Sequence, residues 1–323
     1  MKKWRLFAFA VTLVMVAGLF ASAAAQQAGE GGRHHIKKII HPMNPTEADR
    51  MEPSSIGFSL PSGGTSTVNP PLTYNGGPLI NTPVIYFIWY GNWNQSNGSD
   101  NPAGQQILRD FANSIGGSPY FQLNTTYNAG GFTISGNVTF GGEATDTGSQ
   151  GTRLRDSSIL AIVNRAINNH LLPYNANGVY FVLTSTNISE TSGFCSFYCG
   201  WHTAGNASAG PVRYSFVGNA NRCLNGCAAQ TTGPNGNAGV DGMVSIVAHE
   251  LEESTTDPNL DAWFDSQGAE NGDKCAWTFG HSQFRTSNGA FANVTTAKRN
   301  FLIQRNIEIT GSGDLCMMDS THN

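Results

Sequence analysis

His249 and Glu253 stand four residues apart in Ser245-Ile-Val-Ala-His249-Glu250-Leu-Glu252-Glu253, with Glu250 directly after the histidine. At ~100° per residue, positions i and i+4 share one helix face, so both side chains can point at one ion. The layout is that of the H-E-x-x-H metallopeptidase helix with a glutamate in place of the second histidine, and carboxylates do bind zinc. In a catalytic version, His249 and Glu253 hold the metal. Glu250 takes a proton from the bound water and passes it to a leaving amine. Catalytic zinc takes three protein ligands, and Asp257, four residues beyond Glu253, extends the row. Asp265, Glu270, Asp273, His202 and His281 compete for that place. An all-oxygen set would favour calcium instead. The acidic, turn-rich run Asp261–Asp273 has the composition for it, without the EF-hand spacing.

A blander reading leaves Met243, Ile246, Val247 and Leu251 as a buried stripe and the glutamates as a solvated face. Acids this close repel one another unless a cation sits nearby. In a chain only 12% charged, such a cluster needs a cause. Asp257-Pro258 also reads as a helix stop, and His202 as a structural residue beside the cysteines.

The elements that must position these residues follow from periodicity. The motif helix should start near Asp241, a suitable N-cap. Val84–Tyr90 and Val179–Thr184 are continuous apolar runs of central-strand type. Phe132–Phe140 and Tyr214–Gly218 read as further strands. Pro102–Ile115 and Leu154–Leu172 carry helical stripes, ended by Gly116-Gly117 and Pro173. Strands alternating with helices predict a three-layer α/β domain: a mixed sheet, a zincin-like motif helix and a disulfide-stapled loop region. No dinucleotide or phosphate-binding glycine loop follows a strand, and no G-x-S-x-G occurs.

Residues 1–25 read as a signal peptide: a basic start, an apolar run from Leu6 to Phe20, then small residues up to Ala25. Residues 26–75 read as a flexible N-terminal extension or pro-segment, and 76–323 as a single α/β domain. Losing Lys2, Lys3 and Arg5 with the leader takes the formal charge from −4 to −7. With no basic run left, a nucleic-acid partner is excluded, and no later segment is apolar enough to span a membrane. A secreted, extracellular protein is expected. Its six cysteines, Cys195, Cys199, Cys223, Cys227, Cys275 and Cys316, then read as three disulfides in preference to a zinc site. The expected pairing is Cys275–Cys316, with the other four pairing among themselves.

Five segments come in a telling order: Val84–Tyr90 with Gly91; Gly193-Phe-Cys195-Ser-Phe-Tyr-Cys199-Gly-Trp-His202; Tyr214–Gly218; Cys223-Leu-Asn-Gly-Cys227-Ala228; and Val240-Asp-Gly-Met243. Over roughly residues 75–280 the chain resembles the EXORDIUM family, also called phosphate-induced protein 1. The resemblance implies secretion, an apoplastic setting in plant members and a link to growth responses; it implies no reaction. The metal reading rests on the motif helix alone. Its two forms are a zinc-dependent peptidase and a non-enzymatic extracellular binding or signalling protein whose acidic cluster is structural or holds calcium. The partner would be an extracellular peptide or a cell-wall component. Trp89, Tyr90, Trp93, Trp201, Trp263 and Trp277 are candidate sugar-stacking faces.

Overall fold

Six segments pair into one sheet: Ile39–Pro42 (β1), Val84–Tyr90 (β2), Thr139–Asp146 (β3), Gly178–Thr184 (β4), Tyr198–Ala207 (β5) and Gly210–Gly218 (β6). This computed structural model describes residues 38–43 and 67–321, all within one compact unit, His35–Asn323. The expected signal peptide lies outside the described residues, as do residues 26–37 and 44–66 of the expected extension.

The strand order is β1-β5-β6-β4-β2-β3. β6, β4, β2 and β3 run parallel, while β1 and β5 are antiparallel to their neighbours, so the sheet is mixed. β2 and β4 are buried along almost their whole length, which is why each is an unbroken apolar run. β3 departs from the expected strand over 132–140: only Phe132–Thr133 and Thr139–Phe140 of that stretch are extended. β3 is an edge, alternates toward solvent and contains Gly141-Gly142, so it carries little apolar signal.

Helix Pro102–Ala112 (α1) follows β2, helix Asp156–Asn168 (α2) follows β3, and helix Ala238–Thr256 (α3) follows β6. α2 packs against β4, β5 and β6, and α3 against β5, β6 and α1. Asn237, not Asp241, caps α3: its Oδ1 accepts the Val240 N–H at 3.2 Å. Asp241 lies in the first turn and accepts from Asn235 N at 3.0 Å and Asn235 Nδ2 at 2.6 Å.

Two expectations change here. The stretch 26–75 supplies ordered structure at its described residues: Ile39, Ile40 and His41 pair with His202, Trp201 and Gly200. Lys38 Nζ reaches Asp156 at 2.8 Å and Ser192 at 2.6 Å, fastening the strand. Thr73–Tyr74 pairs with Trp263–Phe264. A two-residue β-branched signal between charges is too short to show periodicity; edge pairing supplies the backbone bonds. The stapled segment is likewise not mainly loop, since it contains β5 and β6. β5 reads Tyr-Cys-Gly-Trp-His-Thr-Ala-Gly-Asn-Ala, too rich in small residues to announce a strand, although its first six residues are buried.

The disulfides are Cys195–Cys223, Cys199–Cys227 and Cys275–Cys316, in the expected division. The first two run side by side and tie the start of β5 to the short helix Leu224–Cys227. The third ties the segment after the helical turn Asn271–Lys274 (α4) to the hairpin of Asn306–Thr310 (β7) and Gly313–Met317 (β8).

Candidate metal centre

α3 is enclosed all round. Every residue from Gly239 to Thr256 is buried, so the solvated acidic face of the blander reading does not exist. His249, Glu250 and Glu253 are 0% exposed. β5 approaches one side because Gly200 has no side chain: a Cβ there would meet Ile246 at 2.6 Å and Glu250 Oε1 at 3.1 Å. α4 approaches another through Gly272, where a Cβ would lie 2.7 Å from His249 Nδ1 and 2.8 Å from Glu253 Oε1.

Two groups of ligand atoms converge in this space, each with its atoms within 4.8 Å of one another. In the first, His249 Nε2 lies 3.0 Å from Glu253 Oε1 and 3.8 Å from Asp273 Oδ1. In the second, His202 Nδ1 lies 3.3 Å from Glu250 Oε2 and 3.2 Å from Glu253 Oε2. Glu270 Oε2 stands 3.6 Å from His202 Nε2, on the far side of that ring. His202 Nδ1 and Glu250 Oε2 share a hydrogen bond, but most of the other facing atoms do not. His249 Nε2, His202 Nε2, Glu250 Oε1, Glu253 Oε2 and both Glu270 oxygens have no hydrogen-bond partner. Buried polar atoms are ordinarily paired, so so many unpartnered together mark a site built for something else.

The surrounding groups hold the ligands in place. The Gln304 side-chain amide contacts His249 Nδ1 and His41 Nε2 at 3.2 Å. The His41 ring lies against that of His249, with centroids 4.3 Å apart. The Asp273 N–H donates to Glu253 Oε1 at 3.0 Å. Glu252 joins neither group; its Oε2 accepts from the Asn124 amide and from Asn306 Nδ2 at 3.0 Å, while its Oε1 has no hydrogen-bond partner.

Burial alone would lower both histidine pKa values; the facing glutamates instead raise His202 to about 10 and His249 to about 9. Burial pushes Glu253 up, but His249 and His202 outweigh it and hold it below its ordinary value. Burial raises Glu250, Glu270 and Asp273, with Glu253 adding to each. His41 drops to about 3 through burial and the neighbouring His249. Protons are thus drawn to the lone pairs on which a divalent ion would compete.

Of the residues singled out in the sequence, His249, Glu250 and Glu253 come together. Asp257 joins neither convergent group; its Oδ1 accepts the Asp261 and Ala262 N–H groups at 2.6 and 2.7 Å, closing the turn after α3. Asp273 stands where the third ligand was sought. Glu250 faces His202, which enters the site from β5 rather than serving only the cysteines. Asp265 caps a local turn through Gln267 N and pairs with Lys274, Asp261 is exposed, and His281 is exposed. His41 and Gln304 were missed. Each follows directly on an apolar run, at Ile39-Ile40-His41 and Phe301-Leu302-Ile303-Gln304, and that placement is a weak signal, since Arg305-Asn306 continue the polar stretch after Gln304. Trp89, Tyr90, Trp93, Trp201 and Trp263 are buried and Trp277 is half-buried, so they build core rather than a stacking face.

The three disulfides suit an oxidising compartment, and no helix among the described residues is long and apolar enough to cross a membrane. The chain is similar to two Arabidopsis thaliana proteins. Protein EXORDIUM-like 3 is 30% identical over 276 residues, covering 72% of this chain and 79% of that protein. Protein EXORDIUM-like 5 is 30% identical over 243 residues, covering 65% of each. No solved structure matches. The family model described as the phosphate-induced protein 1 conserved region matches residues 72–305, a span that holds every converging ligand but not His41. The chain belongs to the phosphate-induced protein 1, or EXORDIUM-like, family.

Proposed function

We propose that this chain is exported through its 1–25 leader and acts outside the cell as a metal-holding member of its family. The ion is divalent, and zinc in preference to calcium. The observation that carries the reading is the pair of unpartnered, fully buried ligand atoms His249 Nε2 and Glu253 Oε2, with Glu250 Oε1 and His202 Nε2 unpartnered beside them. Imidazole ligands favour zinc, whereas calcium takes oxygen alone. The ion would join α3 to β5 and α4, three elements whose buried acids otherwise face only His202 and His249 as cations; Lys274, the nearest lysine in sequence, is engaged by Asp265.

The enclosure of the site favours the non-enzymatic class, an extracellular binding or signalling protein directed at a peptide or a cell-wall component. Peptidase chemistry with Glu250 as base needs an opening to the site. It predicts that Glu250→Gln keeps the ion at His249 and abolishes chelator-sensitive cleavage of a peptide library. In the same reading the sheet is the middle of three layers, with α3 as a zincin-like helix on one face. Gly200 of β5 faces Ile246 of α3, and Gly205, of opposite parity on the same strand, faces Leu160 of α2.

Elemental analysis of the exported chain, purified without chelator, is the direct test. Zinc at one or more ions per chain is expected. Calcium in its place would move the chemistry to the oxygen ligands, and a metal-free protein that takes up no added zinc would overturn the proposal.

A further inference from the structure

The geometry points to a two-ion centre in which Glu253 bridges, each of its carboxylate oxygens serving a different ion. This rests on the metal reading above and specifies it. Glu253 Oε1 belongs with His249 Nε2 at 3.0 Å and with Asp273. Glu253 Oε2 belongs with His202 Nδ1 at 3.2 Å and with Glu250. Among the described residues no convergent group contains both histidines, and Glu253 is the one member the two groups share. A tetrahedral ion with bonds of about 2.0–2.2 Å needs ligand atoms roughly 3–3.5 Å apart. The His202–Glu250, His202–Glu253 and His249–Glu253 approaches, at 3.3, 3.2 and 3.0 Å, are of that size; the His249–Asp273 approach, at 3.8 Å, must close a little, and every atom of each group lies within 4.8 Å of the others.

Charge points the same way. Glu250, Glu253, Glu270 and Asp273 are four carboxylates in one enclosed cluster with two histidines, which bind metal in their neutral form. Asp257, also fully buried and facing Glu270 and His202, makes a fifth acid; two divalent ions offset four of these charges and one ion only two, and each uncompensated charge is costly in a buried place. Glu270 fits as the outer partner of a metal-bound histidine: it faces His202 Nε2 while Nδ1 faces the ion, and such a carboxylate fixes the ring and strengthens the ligand. Paired ions roughly 3.5–4 Å apart with a shared carboxylate form the arrangement that clamps an oxyanion such as a phosphoryl or acyl group.

The test is a titration of the full exported chain, stripped with chelator, against Zn²⁺ with a competing dye. Two equivalents should bind. Asp273→Ala should lose the His249-side ion and Glu250→Ala the His202-side ion, each leaving one equivalent, while Glu253→Ala should lose tight binding of both. Co²⁺ loaded into the unaltered chain should give the electron paramagnetic signature of a coupled pair. Saturation at one equivalent overturns the bridge and leaves the single-ion reading standing. Two equivalents that persist in Glu253→Ala, or uncoupled Co²⁺ ions, overturn the bridge as well. No zinc uptake at all removes the metal reading itself. Should the variants not fold, the titration and the Co²⁺ spectrum of the unaltered chain decide.

Discussion

Phe87 on β2 and Phe181 on β4 face each other in register with ring centroids 6.1 Å apart, and neither is exposed. Glu250 and Glu253 on α3 are enclosed to the same degree. One region gains from burial because its side chains prefer to leave water. The other loses from burial unless something replaces the water. The strand region should therefore be stable by itself, and the cluster region should depend on what it binds.

The largest effect expected from this contrast is on metal removal. Stripping zinc should cost at least about 4 kcal/mol, the linkage stabilisation expected at a free ion concentration a thousandfold above Kd. Exchange protection should fall first in α3, α4 and β5, while β2 and β4 hold. Calorimetry and hydrogen exchange with and without chelator read both quantities. A loss spread evenly over the two regions would break the contrast. Phe181→Ala is the counterpart in the strand region. Removing its ring should cost about 3–5 kcal/mol whether zinc is present or not. A zinc-dependent cost would mean that the regions are coupled more tightly than their contacts suggest.

The same contrast explains what the sequence disclosed. β2, β4, α1 and α2 were legible because apolar burial writes itself as runs and stripes. The His249–Glu253 pair was legible because helical spacing alone places both on one face. The burial of that face was not, since an acid has the same letter in solvent as in a core. Asp273 and His202 were candidates without a way to choose between them and Asp257, because the choice depends on how α4 and β5 fold back onto α3. Glycines 200 and 272 permit that approach, and a glycine in sequence does not say what comes near it. β1 was hidden for a related reason: an edge strand only four residues long draws its order from its partner β5.

A smaller effect separates the metal cluster from the rest of its own helix. Asp241 is buried, and burial raises its carboxyl from 3.8 to about 6 despite hydrogen bonds from Asn235. A raised acid stabilises the fold fully below its unfolded pKa, and that stability is lost as pH climbs through the folded value. The unaltered chain should therefore lose about 2 kcal/mol between pH 4 and pH 6, at 1.36 kcal/mol per pKa unit, that Asp241→Asn does not lose. Zinc release at low pH acts in the opposite direction in both proteins, so the difference between them isolates Asp241. Denaturant midpoints at four pH values provide the measurement, and parallel curves would assign no such role to Asp241.

The smallest effect compares the starts of two helices. Asn101 Oδ1 accepts the Gly104 N–H of α1 at 2.8 Å, and Asn237 Oδ1 accepts the Val240 N–H of α3 at 3.2 Å. Asn237 Nδ2 also donates to Ser99 O at 3.1 Å, so one side chain both caps α3 and ties it to the segment leading into α1. Asn101→Ala should cost about 1 kcal/mol, an ordinary cap loss, and Asn237→Ala about 1–2 kcal/mol because it gives up the second bond too. Asn237 lies twelve residues before His249, roughly 18 Å along the helix axis. At that distance, with no shared partner, its loss should add to the cost of removing zinc rather than change it. A double cycle of Asn237→Ala with and without zinc measures the coupling. A value near zero keeps the cap and the cluster as separate supports of one helix. A coupling above about 0.5 kcal/mol would mean that α3 responds to the ion along its whole length, carrying metal occupancy at His249 to the end of the helix that meets α1.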